Sequence, residues 1–180
     1  MRYINDIPIL LIAITLMIYV PLRLFYRKRH FIKDQYIREI TIILLIAYVE
    51  TILYLTLYPS TPILTNNVSI NLVPFKTINL YINFQGDTLL QIINLFGNVV
   101  VFVPIGIFAL ILMERVSFFT MILIGFGSTL FIEVMQLILS IYEVIARSFD
   151  VDDLMLNTIG VLIGYLIGLV IKKLFPHNRH

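Results

Sequence analysis

The sequence predicts an all-α polytopic membrane protein: a compact bundle of about five transmembrane helices with an ordered or re-entrant extracellular loop. Three observations predict it. First, 59% of the 180 residues are hydrophobic and 13% are charged, against roughly 45–50% apolar and roughly 25% charged in a soluble domain. Second, mean hydropathy is +0.95, and 13 basic plus 11 acidic residues cannot cover the surface that a folded domain of this size leaves to water. Third, the charges are separated by long uncharged runs: Ile7 to Leu22, Ile40 to Val49, Thr51 to Phe75, Thr88 to Met113, Val116 to Ile132 and Leu154 to Ile171. A membrane crossing takes about 20 largely apolar residues, and the backbone inside hydrocarbon must satisfy itself, which a helix does.

Trimmed at Pro, Gly and polar clusters, the runs give spans near 5–25, 38–58, 89–113, 117–140 and 153–174, in a single membrane domain over residues 1–180. The first is read as a retained helix rather than a signal peptide. Its leading residues Met1 to Asp6 carry no basic excess, no small-x-small site follows, and Arg27-Lys28-Arg29 lies after the apolar run. Residues 59–88 form the longest stretch between spans. Asn71-Leu-Val-Pro-Phe75 and Leu80-Tyr-Ile-Asn-Phe84 are too apolar to stay solvated, so this stretch is expected at the interface or folded back toward the bundle. Thr88-x-x-Gln91 reads as a capping box opening the third span. Asp150 and Asp153 read as the cap and first-turn carboxylates of the fifth span, at the positive end of its dipole.

Orientation follows from Lys and Arg. With the N-terminus outside and the C-terminus inside, Arg23, Arg27, Lys28, Arg29, Lys33, Arg38, Arg115, Lys172, Lys173 and Arg179 face the cytoplasm, and Arg2, Lys76 and Arg147 face out, as the positive-inside rule requires. The outer side then holds Asp6, Asp87, Glu143, Asp150, Asp152 and Asp153. A net charge of +2 excludes nucleic-acid binding as the main business. The absence of cysteine excludes disulfides, thiolate metal sites and thiol nucleophiles. No spacing matches a defined metal loop, so no metal and no cofactor is expected, and His30, His177 and His180 all lie in cytoplasmic segments.

Polar residues inside a membrane are expensive and mark candidate sites. Asn94 and Asn98 are four apart on one face of the third span; Glu133 and Gln136 are three apart on one face of the fourth; Asn157 follows Asp150, Asp152 and Asp153 in the fifth. All fall toward the outer side and suggest one polar pocket there. The plainer readings are interhelical hydrogen bonds for the asparagines and helix capping for the aspartates. Gly160, Gly164 and Gly168 form a small-residue stripe for close helix packing, and Gly97, Gly106, Gly125 and Gly127 are read the same way. Glu133 needs a proton or a cation at such depth. The nearby basic residue on that side is Arg147, so an Arg147 pair with Glu133 or Asp150 is expected.

In order and spacing, Asn71-Leu-Val-Pro-Phe75, Asn94-Leu-Phe-Gly-Asn98, Phe102-Val-Pro-Ile-Gly106, Glu133-Val-Met-Gln136 and Arg147-Ser-Phe-Asp150-Val-Asp152-Asp153-Leu-Met-Leu-Asn157-Thr-Ile-Gly160 resemble the VanZ-like family of small bacterial membrane proteins. The resemblance covers about residues 45–172 and leaves the first span outside. It implies a multi-pass protein of the bacterial plasma membrane, of the kind named for low-level teicoplanin resistance.

Three functions are then open. The first is a binding protein whose outer pocket, built from Asn71, Asn94, Asn98, Glu133, Gln136, Arg147, Asp150 and Asn157, holds a lipid, a lipid-linked envelope component or a lipoglycopeptide. The second is an enzyme on a lipid-linked envelope substrate, with Glu133 and Asp150 or Asp153 dividing acid and base roles; a divalent ion on Asp150, Asp152, Asp153 and Asn157 is conceivable there, because oxygen ligands suit Mg²⁺ or Ca²⁺. The third is a small transporter or transporter subunit, and the glycine stripe allows a homodimer.

Overall fold

In a computed structural model of the chain, residues 3–30, 36–58, 68–86, 88–113 and 115–174 are described. Expectations placed on Arg2, Lys33, Asp87, His177, Arg179 and His180, on the Asp6 side chain and on loop residues 59–67 lie outside the described residues. In chain order the elements are α1 (Tyr3–His30), α2 (Tyr36–Leu57), β1 (Ile70–Asn71), α3 (Lys76–Ile82), α4 (Thr88–Leu112), α5 (Phe118–Ile141), β2 (Phe149–Asp150) and α6 (Val151–Leu174). Among the described residues five helices are long and apolar enough to cross a membrane: Ile7–His30, Tyr36–Leu57, Gln91–Leu112, Phe118–Ile141 and Val151–Leu174. The protein is all-α and multi-pass. The spans fall where the uncharged runs place them, except that α1 continues through the basic cluster to His30.

The chain divides into two compact units, Met1–Leu55 and Thr56–His180. In the first, Arg23 grips Glu39 with two bonds, Nε to Oε2 at 3.1 Å and Nη2 to Oε1 at 2.9 Å, and Arg27 Nε stands 4.0 Å from the same carboxylate. The planar guanidinium matches a carboxylate two bonds at a time, so this pair fixes the end of α1 against the start of α2. Thr41 and Thr51 donate to the carbonyls of Ile37 and Ala47 one turn back, which keeps both hydroxyls satisfied without water.

In the second unit α6 packs against both α4 and α5. It runs parallel to α4 and antiparallel to α5, as a chain alternating its direction of crossing requires. Glycine makes the α4–α6 contact. A Cβ on Gly164 would stand 1.9 Å from the Val103 carbonyl oxygen, one on Gly160 2.2 Å from that of Val99, and one on Gly106 2.1 Å from that of Val161. Without a hydrophobic drive inside lipid, such close backbone approach supplies the packing energy. The stripe is therefore filled within the chain. Gly97 and Gly127 depart from expectation: among the described residues nothing lies within 4 Å of a Cβ at either position, so they are not packing glycines here. Across the other face of α6, Gly125 meets Thr158 and Val161, and Tyr165 donates its hydroxyl to the Val116 carbonyl at 3.3 Å.

The capping box at α4 is also corrected. Thr88 is already helical, and Gln91 donates through its amide to the Phe84 carbonyl. It closes the preceding turn instead of accepting from the helix start.

Candidate functional site

One end of the second unit is broken by extended chain. Glu133 lies eight residues before the end of α5, about 12 Å along the axis, and at its level β1 and β2 form a two-residue parallel pair with Ile70 opposite Phe149 and Asn71 opposite Asp150. The segment after α5 therefore folds back along the helix. Ser140 fastens this return, donating to the Arg147 carbonyl at 2.8 Å and accepting from its N–H at 3.2 Å.

Non-helical backbone at such depth is tolerated only where its N–H groups find partners in protein. Here side-chain oxygens supply them. Asp150, the residue before α6, accepts from the Asp152 N–H at 2.9 Å, and its own N–H donates to Glu133 Oε2 at 3.0 Å. Asn71 Oδ1 accepts from the Val73 N–H at 3.2 Å. Asp152, with no exposed surface, accepts from three: Phe75 at 2.6 Å, Thr77 at 2.7 Å and Ile78 at 3.1 Å. It thus caps α3 from another part of the chain. The first of those donors, Phe75, sits at φ 65°, a left-handed conformation that is strained for a bulky residue and is held here by that bond. Side chains complete the lattice: Asn71 Nδ2 donates to Asp150 Oδ1 at 3.0 Å and to Thr77 Oγ1 at 3.1 Å, and the Thr77 hydroxyl donates to Asp150 Oδ2.

The remaining expected residues separate into different settings. Asn98 Nδ2 donates to Asp153 Oδ1, joining α4 to α6; both side chains are half-buried, as is Asn94 one turn before. Asn157 faces the other way and donates to Thr129 at 2.7 Å; it is 4% exposed, and its Oδ1 has no hydrogen-bond partner among the described residues. Gln136, one turn beyond Glu133 on α5, donates to the Thr56 carbonyl at 3.1 Å. Glu133 is 3% exposed and turned inward.

The expected Arg147 ion pair is not formed. The side chain is exposed, and among the described residues no carboxylate oxygen lies within the 4.0 Å of an ion pair. The reason is the neighbouring donors: the Asp150 N–H reaches Glu133, the Asp152 N–H with the Asn71 and Thr77 side chains reaches Asp150, and burying a guanidinium would cost more than leaving it wet. Among the described residues no group of three or more His, Asp or Glu is placed to hold a metal, since Asp150 and Asp152 spend their oxygens on the chain itself.

Sequence reasoning named Asp152 only within the outer polar cluster and as a conceivable metal ligand, and it missed Thr77, Thr129 and Ser140. Hydroxyls inside membrane helices usually bond their own backbone, so the latter three give no sequence signal. Asp152 had one: it is the aspartate left over once Asp150 and Asp153 are spent on the helix start.

Residues 45–172, more than two-thirds of the chain, match the family model described as VanZ/LLP1. No curated protein and no solved structure matches the chain.

Proposed function

The chain belongs to the VanZ/LLP1 family, and from that premise we propose that it is a binding protein of the bacterial plasma membrane, oriented N-terminus out and C-terminus in, that holds the polar head of an amphiphile at the outer leaflet. The observation that carries this reading is the Asn98–Asp153 pair. Unlike Asp150 and Asp152, Asp153 accepts one bond among the described residues, from Asn98, and Asn94 stands one turn before Asn98 on the same face of α4. A carboxylate with two amides suits a ligand rich in hydroxyl and amide donors, such as the sugar-and-peptide head of a lipid-linked envelope intermediate or of a lipoglycopeptide. Exposed Arg147 offers a bidentate contact to phosphate or carboxylate on the same ligand. Binding is favoured over catalysis because Asp150, expected as an acid or base, has both oxygens occupied by Asn71, Thr77 and Asp152.

The test is direct titration of the purified protein in nanodiscs with teicoplanin and, separately, with a lipid-linked cell-wall precursor. Asn98→Ala and Asp153→Asn should each weaken binding of one of these probes by about tenfold, the worth of one charge-assisted hydrogen bond, at unchanged helicity. Unchanged affinity in both variants would remove this site. The resistance role is tested apart from binding: expression should raise the teicoplanin concentration that stops growth, and D153N should not.

A further inference from the structure

The opposite end of the second unit carries a feature that the polar lattice does not use. Where α4 ends, α5 begins and α6 approaches its last turn, a groove of about 490 Å³ opens, with Leu110, Met113, Arg115, Val116, Leu169 and Lys172 in its lining. Its composition is divided. Leu110, Met113, Val116 and Leu169 form an apolar wall, while Arg115 and Lys172 bring two cations to the rim. Among the described residues neither cation has an ion-pair or hydrogen-bond partner; Glu114, beside Arg115 in sequence, lies outside the described residues. The Ser117 hydroxyl is spent on the Thr120 N–H at 3.0 Å, so the cations, not the helix cap, are the recognition elements.

From this groove we infer a second binding site, for the phosphate head of an anionic phospholipid, at the end of the unit remote from Asp153. Charge and shape both select that class. Two cations at a membrane boundary, without partners among the described residues, attract anionic lipid, the guanidinium takes phosphate oxygens two at a time, and the apolar wall continues into the span, where an acyl chain runs beside α4 and α6. A neutral zwitterionic head gains less from two cations, and a free phosphate leaves the apolar wall uncovered. The site does not rest on the proposed amphiphile site and survives its failure.

Native mass spectrometry of the full chain, released from detergent after equilibration with phosphatidylglycerol or phosphatidylcholine, tests the inference. The wild type should retain phosphatidylglycerol in preference to phosphatidylcholine. Arg115→Gln with Lys172→Gln should lower that preference roughly 25-fold, about fivefold for each cation removed, whereas Arg115→Lys alone should keep most of it. Lys28→Gln with Arg29→Gln, which removes two exposed cations elsewhere, should leave the preference unchanged. An equal loss in that control, or undiminished retention in R115Q/K172Q at wild-type helicity, would overturn the site. Complete displacement of phosphatidylglycerol by millimolar inorganic phosphate would overturn the lipid assignment by showing that the groove takes phosphate alone.

Discussion

Asp152 has no exposed surface, and its two oxygens receive three N–H groups from a segment that begins 77 residues earlier. A buried carboxylate without a cation is tolerated only when hydrogen bonds replace its water, and here the exchange also stabilises backbone that no helix serves. Asp152→Ala strands those donors, at about 1–3 kcal/mol each when buried. The expected result is a large fall in thermal stability with early proteolysis within residues 68–86. Asp153→Asn, which keeps shape and a polar contact to Asn98, should leave thermal unfolding within about 1 kcal/mol of wild type while losing ligand. Arg147→Ala likewise should fold normally, since its side chain is exposed and makes no ion pair among the described residues; a collapse in yield would show that the guanidinium has a structural partner. The aspartates look alike in sequence, three in four positions, and only their partners divide them into two that hold the chain and one that remains open.

Helix against helix, the second unit is decided by glycine. Gly160→Ala or Gly164→Ala would drive a methyl into a carbonyl oxygen of α4, forcing the helices apart at a cost of about 1–3 kcal/mol or more. Gly97→Ala and Gly127→Ala meet open space and should instead be neutral or gain up to about 1 kcal/mol from helix propensity. Thermal unfolding of the four variants separates the pairs, and a uniform loss would refute the packing. All four glycines sit in apolar runs that read the same in sequence. Which are contacts depends on the rotation of α4 and α5 against α6, a property of pairs of helices. The two-residue β1–β2 pair was invisible for a similar reason: two residues carry no period, and their partner lies about 80 positions away.

At the scale of the whole molecule, the placement of charge makes orientation testable. Because the chain has no cysteine, each introduced thiol is the sole label site. Glu143→Cys should react with an impermeant maleimide on intact cells, and Lys173→Cys only after permeabilisation. The reverse pattern would invert the proposed topology and move the Asn98–Asp153 pair to the inner leaflet.

The number and approximate extent of the spans were determined by the sequence alone, the inner end of α1 excepted, because partition of an apolar run into lipid is a local free energy that each segment carries by itself. The family was legible too, since its polar motifs stand in fixed order along one chain. What the polar residues do was decided by tertiary structure. An Asp, Asn or Thr in a membrane must find a partner, but whether that partner is a distant N–H, a neighbouring helix or a ligand depends on how the chain folds back. The 13% of charged residues thus divides in the fold: some hold irregular backbone at depth, and Asp153 stays half-open at the mouth where we propose that the ligand binds.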